Sequence, residues 1–198
     1  MTKQPLILAS SSPRRQQLLV QLGVEFEVAP QNIDESVLPD EVPVAYVERV
    51  AKEKGRSALQ QYPDALVLAA DTSVILDNQI LGKPADKHDA LGMLAALAGR
   101  EHVVISAVTV ANAGSMRCLV VTTTVKFRDI TTEEALRYWQ TGEPIGKAGG
   151  YGIQGFGSAF VENLSGSYTN VVGLPLFETA QALSYFNVPI WGKELAEQ

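Results

Sequence analysis

A chain of 198 residues, 46% of them apolar and 19% charged, is long enough to bury a sizeable core and has the composition of a globular protein. Its 22 acidic residues against 16 basic ones give a net charge of −6, which argues against a protein that grips duplex nucleic acid with a basic face. The single cysteine excludes both an intrachain disulfide and a cysteine-rich zinc site.

The N-terminal residues lack the apolar segment and cleavage site of a secretory signal. No apolar run approaches the roughly 18 residues that a membrane span needs. We therefore expect a cytoplasmic protein with no membrane partner. The two histidines, His88 and His102, show no metal-ligand spacing, and we expect both to be surface or helix-end residues.

The first informative stretch begins with the short apolar run Leu6–Ala9, which is followed by three serines, a proline and two arginines. The run has the length of a buried strand, and Ser12 followed by Pro13 is typical of a helix N-terminus. The strand should therefore turn directly into a helix, where hydroxyls, free backbone amides and the guanidinium groups of Arg14 and Arg15 meet. Helix N-termini and arginines both favour phosphate, so this corner predicts a polyphosphate site.

The remaining chain alternates between helical and extended apolar patterns. Apolar residues at helical spacing predict helices over 13–22, 43–59, 86–98, 131–139 and 175–186. Alternating or continuous apolar runs predict strands over 24–28, 65–70, 73–76, 79–81, 102–111, 116–124 and 159–162. The pattern indicates an α/β fold with a mixed twisted sheet flanked by helices, in which residues 1–198 form one domain, either as one body or as two lobes around a central cleft.

Three acidic residues could carry chemistry. Asp71 follows a continuous apolar run, and we interpret it as lying at the carboxyl end of a central strand, where α/β sheets tend to place binding and catalytic groups. Asp34 and Glu35, in a polar loop, could join Asp71 in holding a divalent cation, because Mg²⁺ prefers a few carboxylates together with phosphate oxygens. The alternatives are a turn-capping carboxylate for Asp71 and a solvated acidic loop for the other two.

Two lysines are candidate phosphate ligands. Lys54 lies on a predicted helix, where a lysine is most often solvated, whereas Lys83 is held between Gly82 and Pro84. The segment around Lys83 lacks the earlier glycine and the following Ser or Thr of a Walker A motif, so the sequence does not predict a P-loop enzyme.

Six glycines crowd the stretch 146–158. It resembles a dinucleotide-binding fingerprint only superficially, because it does not join a clear strand to a clear helix. We interpret it instead as a wall for a flat ring, with the amide of Gln154 offering an acceptor and a donor to the carbonyl and imide N–H of uracil or thymine. The alternative is a surface glutamine in a flexible loop.

Seven short motifs occur in order along nearly the whole chain. They are Ala9-Ser-Ser-Ser-Pro-Arg-Arg, Ile33-Asp-Glu, Lys52-Glu-Lys, Ala70-Asp-Thr, Gly82-Lys-Pro, Lys147-Ala-Gly-Gly-Tyr-Gly-Ile-Gln-Gly and Val172-Gly-Leu-Pro-Leu. Each motif is short, but the ordered set resembles the Maf family. The members of that family are nucleoside triphosphate pyrophosphatases, related in fold to the inosine triphosphate pyrophosphatases.

The resemblance implies hydrolysis of a nucleoside triphosphate between its α and β phosphates, with Mg²⁺ or Mn²⁺ as cofactor. It implies Asp71 as the proton acceptor for the attacking water, and Glu35 with Asp71 as metal ligands. It implies phosphate-binding roles for Ser10, Arg15, Lys54 and Lys83. It also implies a homodimer, and the family is linked to cell-division arrest.

Three positions indicate the branch of the family. Arg14, Thr72 and Gln154 resemble the branch that acts on dTTP and UTP, including modified uridine triphosphates. A sister branch that prefers 7-methyl-GTP typically has an aromatic residue in place of Arg14 and a glutamine in place of Thr72. Two alternatives to a dTTP/UTP pyrophosphatase remain. One is a pyrophosphatase that acts on 7-methyl-GTP, and the other is a non-catalytic, nucleotide-sensing regulator of cell division.

Overall fold

The computed structural model describes residues 4–192 of the chain. The strands are β1 (Leu6–Leu8), β2 (Glu27–Val28), β3 (Leu66–Leu76), β4 (Gln79–Leu81), β5 (Glu101–Ala111), β6 (Met116–Phe127) and β7 (Val161–Ser165). The α-helices are α1 (Pro13–Val20), α2 (Pro43–Gln61), α3 (Lys87–Leu97), α4 (Thr132–Gln140), α5 (Tyr168–Val172) and α6 (Leu176–Tyr185). Two 3₁₀ turns cover Ala148–Gly150 and Phe156–Phe160.

All seven strands belong to one sheet, in the order β2-β1-β3-β5-β6-β7, with β4 also paired to β3. β1 runs parallel to β2 and β3, and the other pairs are antiparallel. The predicted α/β fold with a mixed sheet is therefore confirmed.

Helices cover both faces of this sheet, because alternate residues of a strand point to opposite sides. Leu66 and Leu68 of β3 pack with Leu183 of α6, whereas Val67 packs with Ala58 of α2 on the other face. Burial of each such leucine contributes about 1.5–3 kcal/mol. Within residues 4–192, no helix combines the length and apolar content required to span a bilayer.

β3 is the strand that positions the site, and it differs from the prediction. The two predicted strands form one continuous strand, and Asp71 lies in its middle, so its predicted place at a strand end is wrong. The reason is the pairing: β5 pairs with β3 from Val67 to Ile75, and this holds the strand straight. On the opposite edge, β1 pairs only with residues 66–68 and β4 only with 74–76. Asp71 therefore lies in an unpaired gap beside the carboxyl end of β1.

Other predicted boundaries also change. The strand predicted over 24–28 shrinks to β2, because the ladder with β1 is only two residues long. The strand predicted over 159–162 begins at Val161, since Phe156–Phe160 forms a 3₁₀ turn. Helix α5 was not predicted at all. The predicted helix start is confirmed: Ser12 caps α1, and its side chain accepts a hydrogen bond from the amide of Arg15.

Candidate active site

A cleft of about 440 Å³ opens where β1 ends and the middle of β3 is unpaired. This volume lies within the range of about 300–1,000 Å³ that small-molecule sites occupy. The structure brings nine predicted site residues to its lining: Ser10, Arg14, Arg15, Glu35, Lys54, Asp71, Thr72, Lys83 and Gln154. They come from β3, from helices α1 and α2 and from four loops.

Lys54 joins two carboxylates at the centre of the cleft. Its Nζ lies 2.9 Å from Asp71 Oδ1 and 2.9 Å from Glu35 Oε1. Lys54 and Asp71 are both buried, at 8% and 6% exposure, so each charge requires the other as compensation. Lys54 is buried because it follows Val50 by four residues and precedes Ala58 by four, which places it on the apolar face of α2.

Asp34 does not reach the cleft. It is exposed, and its carboxylate accepts hydrogen bonds from the hydroxyl and the amide of Ser36 in its own loop. The Ser36 hydroxyl and amide lower the pKa of Asp34. Of the two acidic residues in this loop, only Glu35 lines the site.

Arg15 is held rigidly at the other side of the gap. Its guanidinium donates to Ser10 Oγ at 3.2 Å, to Thr72 Oγ1 at 3.2 Å and to the carbonyl of Gly173 at 2.9 Å. Burial lowers the pKa of Arg15, and the negative charge of Asp71 opposes that shift. An arginine stays charged in proteins, so this corner presents a fixed cation.

The hydroxyl of Thr72 contacts three other segments of the chain. Besides Arg15, its hydroxyl lies 2.8 Å from Ser106 Oγ and 3.3 Å from the Gly173 carbonyl. Ser106 in turn donates to the carbonyl of Asn170 at 3.0 Å. Thr72 thus ties the arginine corner to β5 and to the chain around α5.

The opposite rim of the cleft is made of loops. Gln154 is exposed, and its amide forms no hydrogen bond with the residues the structure describes. Lys83 is also exposed, and its segment is fixed by the amide of Gly149, which donates to the Gly82 carbonyl at 3.0 Å. Arg14, on α1, interacts with this rim through its charge: burial lowers its pKa, and the charge of Glu143 opposes that shift.

Known proteins match this chain over most of its length. Residues 5–186 match the family model described as Maf-like protein. The chain belongs to the Maf family. A relative from Acinetobacter baylyi named dTTP/UTP pyrophosphatase is 51% identical over 176 residues, which cover 89% of this chain and 96% of that protein. One from Desulfotalea psychrophila with the same name is 50% identical over 186 residues, which cover 93% and 95%.

Among solved structures, a HAM1 protein from Coxiella burnetii is 15% identical, with a TM-score of 0.43 over 63% of this chain and 73% of that one. That similarity is too distant to bear on function. The resemblance to the Maf family inferred from the seven motifs is confirmed by the family match and by the sequence relatives.

Tyr46 and Lys147 also line the cleft of this Maf protein and were not predicted as site residues. The hydroxyl of Tyr46 donates to the backbone carbonyl of Glu35 at 2.9 Å and so fixes the acidic loop. Burial, together with the charges of Asp71 and Glu35, raises the pKa of Tyr46 to about 12, so its hydroxyl stays protonated. Its place four residues before Val50, on the apolar face of α2, was the available signal. Lys147 was visible only as part of a motif.

The prediction that His102 lies at the surface or at a helix end is wrong. It is 2% exposed rather than at the surface, and its Nε2 lies 2.8 Å from the hydroxyl of Tyr151, which lines the cleft. Burial lowers the pKa of His102 to about 4, so the ring is neutral at pH 7. A histidine followed by two apolar β-branched residues, Val103 and Val104, was the available signal.

The Maf site fits a divalent cation. Among residues 4–192, no group of three or more His, Cys, Asp or Glu side chains gathers as a closed metal cage. Glu35 and Asp71, however, meet on the same Lys54 Nζ, so two carboxylates face one part of the cleft. Mg²⁺ in phosphate-transfer sites is usually held by one or two carboxylates together with substrate phosphates, and these two residues match that pattern.

Proposed function

We propose that this Maf protein hydrolyses dTTP and UTP, and modified uridine triphosphates, between the α and β phosphates to the monophosphate and pyrophosphate. One observation carries the proposal: the paired carboxylates of Asp71 and Glu35 share a cleft with the fixed cation of Arg15 and the free amide of Gln154. The names of the two relatives support the same reaction.

Asp71 is the proton acceptor for the attacking water. Lys54 occupies its Oδ1, and Oδ2 accepts no hydrogen bond from the described residues, so one carboxylate oxygen remains for a water molecule. The bond to Lys54 fixes the carboxylate within a strand that is paired along its whole other edge. A positioned base of this kind accelerates a reaction by about 10²–10⁴-fold.

The cations of the cleft neutralise the triphosphate. Arg15 and Ser10 form one corner, Lys54 lies between the carboxylates, and Lys83 lies on the opposite rim. Positive groups fixed before the reaction stabilise the charge that develops on the leaving pyrophosphate. Glu35 and Asp71 would hold Mg²⁺ or Mn²⁺, which supplies further positive charge at the phosphate oxygens when bound.

The rim selects the nucleobase. Gln154 offers both a donor and an acceptor to the imide edge of uracil or thymine. Cytosine presents its donor and acceptor in the reverse order, so an amide held in the orientation that suits uracil would leave cytosine N3 and N4 unpaired. Arg14 lies on the same side of the cleft as Glu143 and Lys147. Thr72 contributes by fixing Arg15 and the Gly173 carbonyl.

The test is a substrate panel. The protein is incubated with Mg²⁺ or Mn²⁺ and each of dTTP, UTP, CTP, ATP, GTP and 7-methyl-GTP, and released pyrophosphate is measured, with EDTA as the control. We expect release from dTTP and UTP and none with EDTA. Release from 7-methyl-GTP alone would overturn the specificity, and tight nucleotide binding without turnover would indicate the regulatory alternative.

The organisation of the enzyme is also a proposal. We place the reaction in the cytoplasm, in one domain over residues 1–198 that acts as a homodimer. Light scattering of the purified protein checks the last point: a mass twice that of one chain supports the dimer, and the mass of one chain contradicts it.

A further inference from the structure

The segment 152–157, which carries Gln154, is pressed against two side chains that the reaction itself does not use. A Cβ atom added at Gly155 would lie 2.1 Å from Glu143 Oε2, and one at Gly157 would lie 2.6 Å from Tyr138 Oη. A side chain at Gly155 would have to displace the Glu143 carboxylate, and one at Gly157 would also meet the backbone carbonyl of Gly152 at 2.8 Å.

Glu143 binds the far end of the segment. Its Oε1 accepts from the amide of Gly157 at 3.0 Å, and its Oε2 accepts from the amide of Phe156 at 2.8 Å. Tyr138 completes the clamp: its hydroxyl donates to Glu143 Oε1 at 2.8 Å and accepts from the amide of Gly152 at 3.0 Å. Both ends of the segment are therefore fixed, with Gln154 between them.

The negative charge of Glu143 also acts on the cationic side chains near this segment, Arg14 and Lys147. Burial disfavours its ionised form, but the Gly157 amide, the Tyr138 hydroxyl and the Phe156 amide together lower its pKa, so the carboxylate is ionised at neutral pH. Its negative charge stabilises the cationic forms of Arg14 and Lys147, and its backbone carbonyl accepts a hydrogen bond from Lys147 Nζ.

We propose that Glu143 is a positioning residue for nucleobase selection, which holds the segment 152–157 so that the amide of Gln154 faces the cleft. Glu143 acts through the backbone of this segment and does not touch the substrate. The inference rests on the proposed base-reading role of Gln154, and it assigns the specificity to a clamp as well as to the reading side chain.

The informative substitution is Glu143→Gln. It keeps the size of the side chain but replaces one acceptor oxygen by an NH₂ donor, which must face a backbone N–H or the Tyr138 hydroxyl. We expect the ratio of kcat/KM for UTP to that for CTP to fall by about tenfold, the size of one lost hydrogen bond to a charged group. Inhibition by inorganic triphosphate, which has no base, should be unchanged.

The matched control is Glu133→Gln. Glu133 lies on α4, its side chain is 74% exposed, and it is bonded to Arg137 on the surface of the helix. We expect the UTP to CTP ratio of this variant to equal that of the wild type. A fall of the ratio in both variants would show a general effect of lost charge and would contradict the clamp.

A double-mutant cycle separates the clamp from a merely structural role. If Glu143 acts through Gln154, adding Glu143→Gln to Gln154→Ala should not lower the ratio further, because coupled residues are not additive. Full additivity of the two effects, or an unchanged ratio in Glu143→Gln alone, would overturn the proposal.

Three further experiments test the clamp by itself. If Glu143→Gln does not fold, Tyr138→Phe removes the shared hydroxyl and should lower the same ratio. In the wild type, the amides of Phe156 and Gly157 should be protected from hydrogen exchange, and exchange at the rate of an open loop would refute the clamp.

Calorimetry of UMP and CMP binding measures the preference for uracil over cytosine without turnover. A wild type that binds UMP selectively but hydrolyses nothing would overturn the proposed function and leave the clamp intact.

Discussion

The two ends of the cleft are built by different means. At the end where we propose that the phosphates bind (the phosphate end), Asp71 lies within a strand, Lys54 on the buried face of α2 and Arg15 in the first turn of α1. At the end where we propose that the base binds (the base end), Gln154 is exposed on a glycine-rich segment that Glu143 and Tyr138 hold by hydrogen bonds. With the proposed roles, the reacting groups lie on regular elements, which fix their distances, and the base-selecting group lies on a loop.

The largest expected effect lies at the phosphate end. Asp71→Asn should keep the fold and lower kcat on UTP by about 10²–10⁴-fold, because the amide cannot accept the proton of water. The measurement is kcat with a parallel thermal unfolding curve. Asp77→Asn, at an exposed hairpin aspartate bonded to Arg100, is the control and should retain full activity. Near-normal turnover in Asp71→Asn would remove it from the role of base.

Lys54→Met tests whether the phosphate end is held by its buried charges. The substitution removes the only cation that is hydrogen-bonded to the buried Asp71 among the described residues, so the free energy of unfolding should fall by about 3 kcal/mol. Lys52→Met is the control on the same helix, since Lys52 pairs with Glu48 at the surface and should cost less than about 1 kcal/mol. Chemical denaturation measures both. Equal losses of unfolding free energy in the two variants would contradict the claim that the buried charge of Lys54 contributes more than the surface charge of Lys52.

Acid should weaken the anchor of the base end. His102 contacts Tyr151 at the start of the glycine-rich segment, and its pKa falls from 6.5 to about 4 on folding. The unfolded chain binds more protons between these values, so stability is complete above pH 6.5 and falls by about 3 kcal/mol as the pH drops to 4.

The measurement is the free energy of unfolding against pH for the wild type and for His102→Phe. The substitution should flatten the profile between pH 4 and 6.5, where the buried histidine titrates. His88→Gln, at an exposed position of α3, should leave the slope as in the wild type. A slope that persists in His102→Phe would assign the effect to other groups.

The smallest effect is expected for Gln154→Ala. The side chain is exposed, so the free energy of unfolding should change by less than about 0.5 kcal/mol. The UTP to CTP ratio of kcat/KM should fall by about tenfold, because the reading hydrogen bonds are lost. Equal loss on every nucleotide would mean that Gln154 serves turnover in general. It would contradict the assignment of base selection to the end of the cleft that carries Gln154.

The elements that carry Arg15 and Asp71 could be predicted from the sequence because their signals are local. Ser12 and Pro13 mark the start of α1, and the apolar run before Asp71 marks its strand. The position of Asp71 within that strand was missed because it depends on where the neighbouring strands end, which no local pattern encodes.

The segment around Gln154 was less accessible, because its contacts are made outside any regular element. The hydrogen bonds from the amides of Phe156 and Gly157 to Glu143 span 13 and 14 residues, and no local sequence pattern predicts them. The role of Glu143 could not be predicted, because a glutamate just after a helix is usually a solvated turn residue. The density of glycines pointed to close approach, but not to the side chains that make it.

The proposed reaction is tested most directly by the product balance of the wild-type protein with UTP and Mg²⁺. We expect UMP and pyrophosphate in equal amounts, with both lost in Asp71→Asn. Release of UDP and inorganic phosphate, or turnover that survives Asp71→Asn, would contradict it.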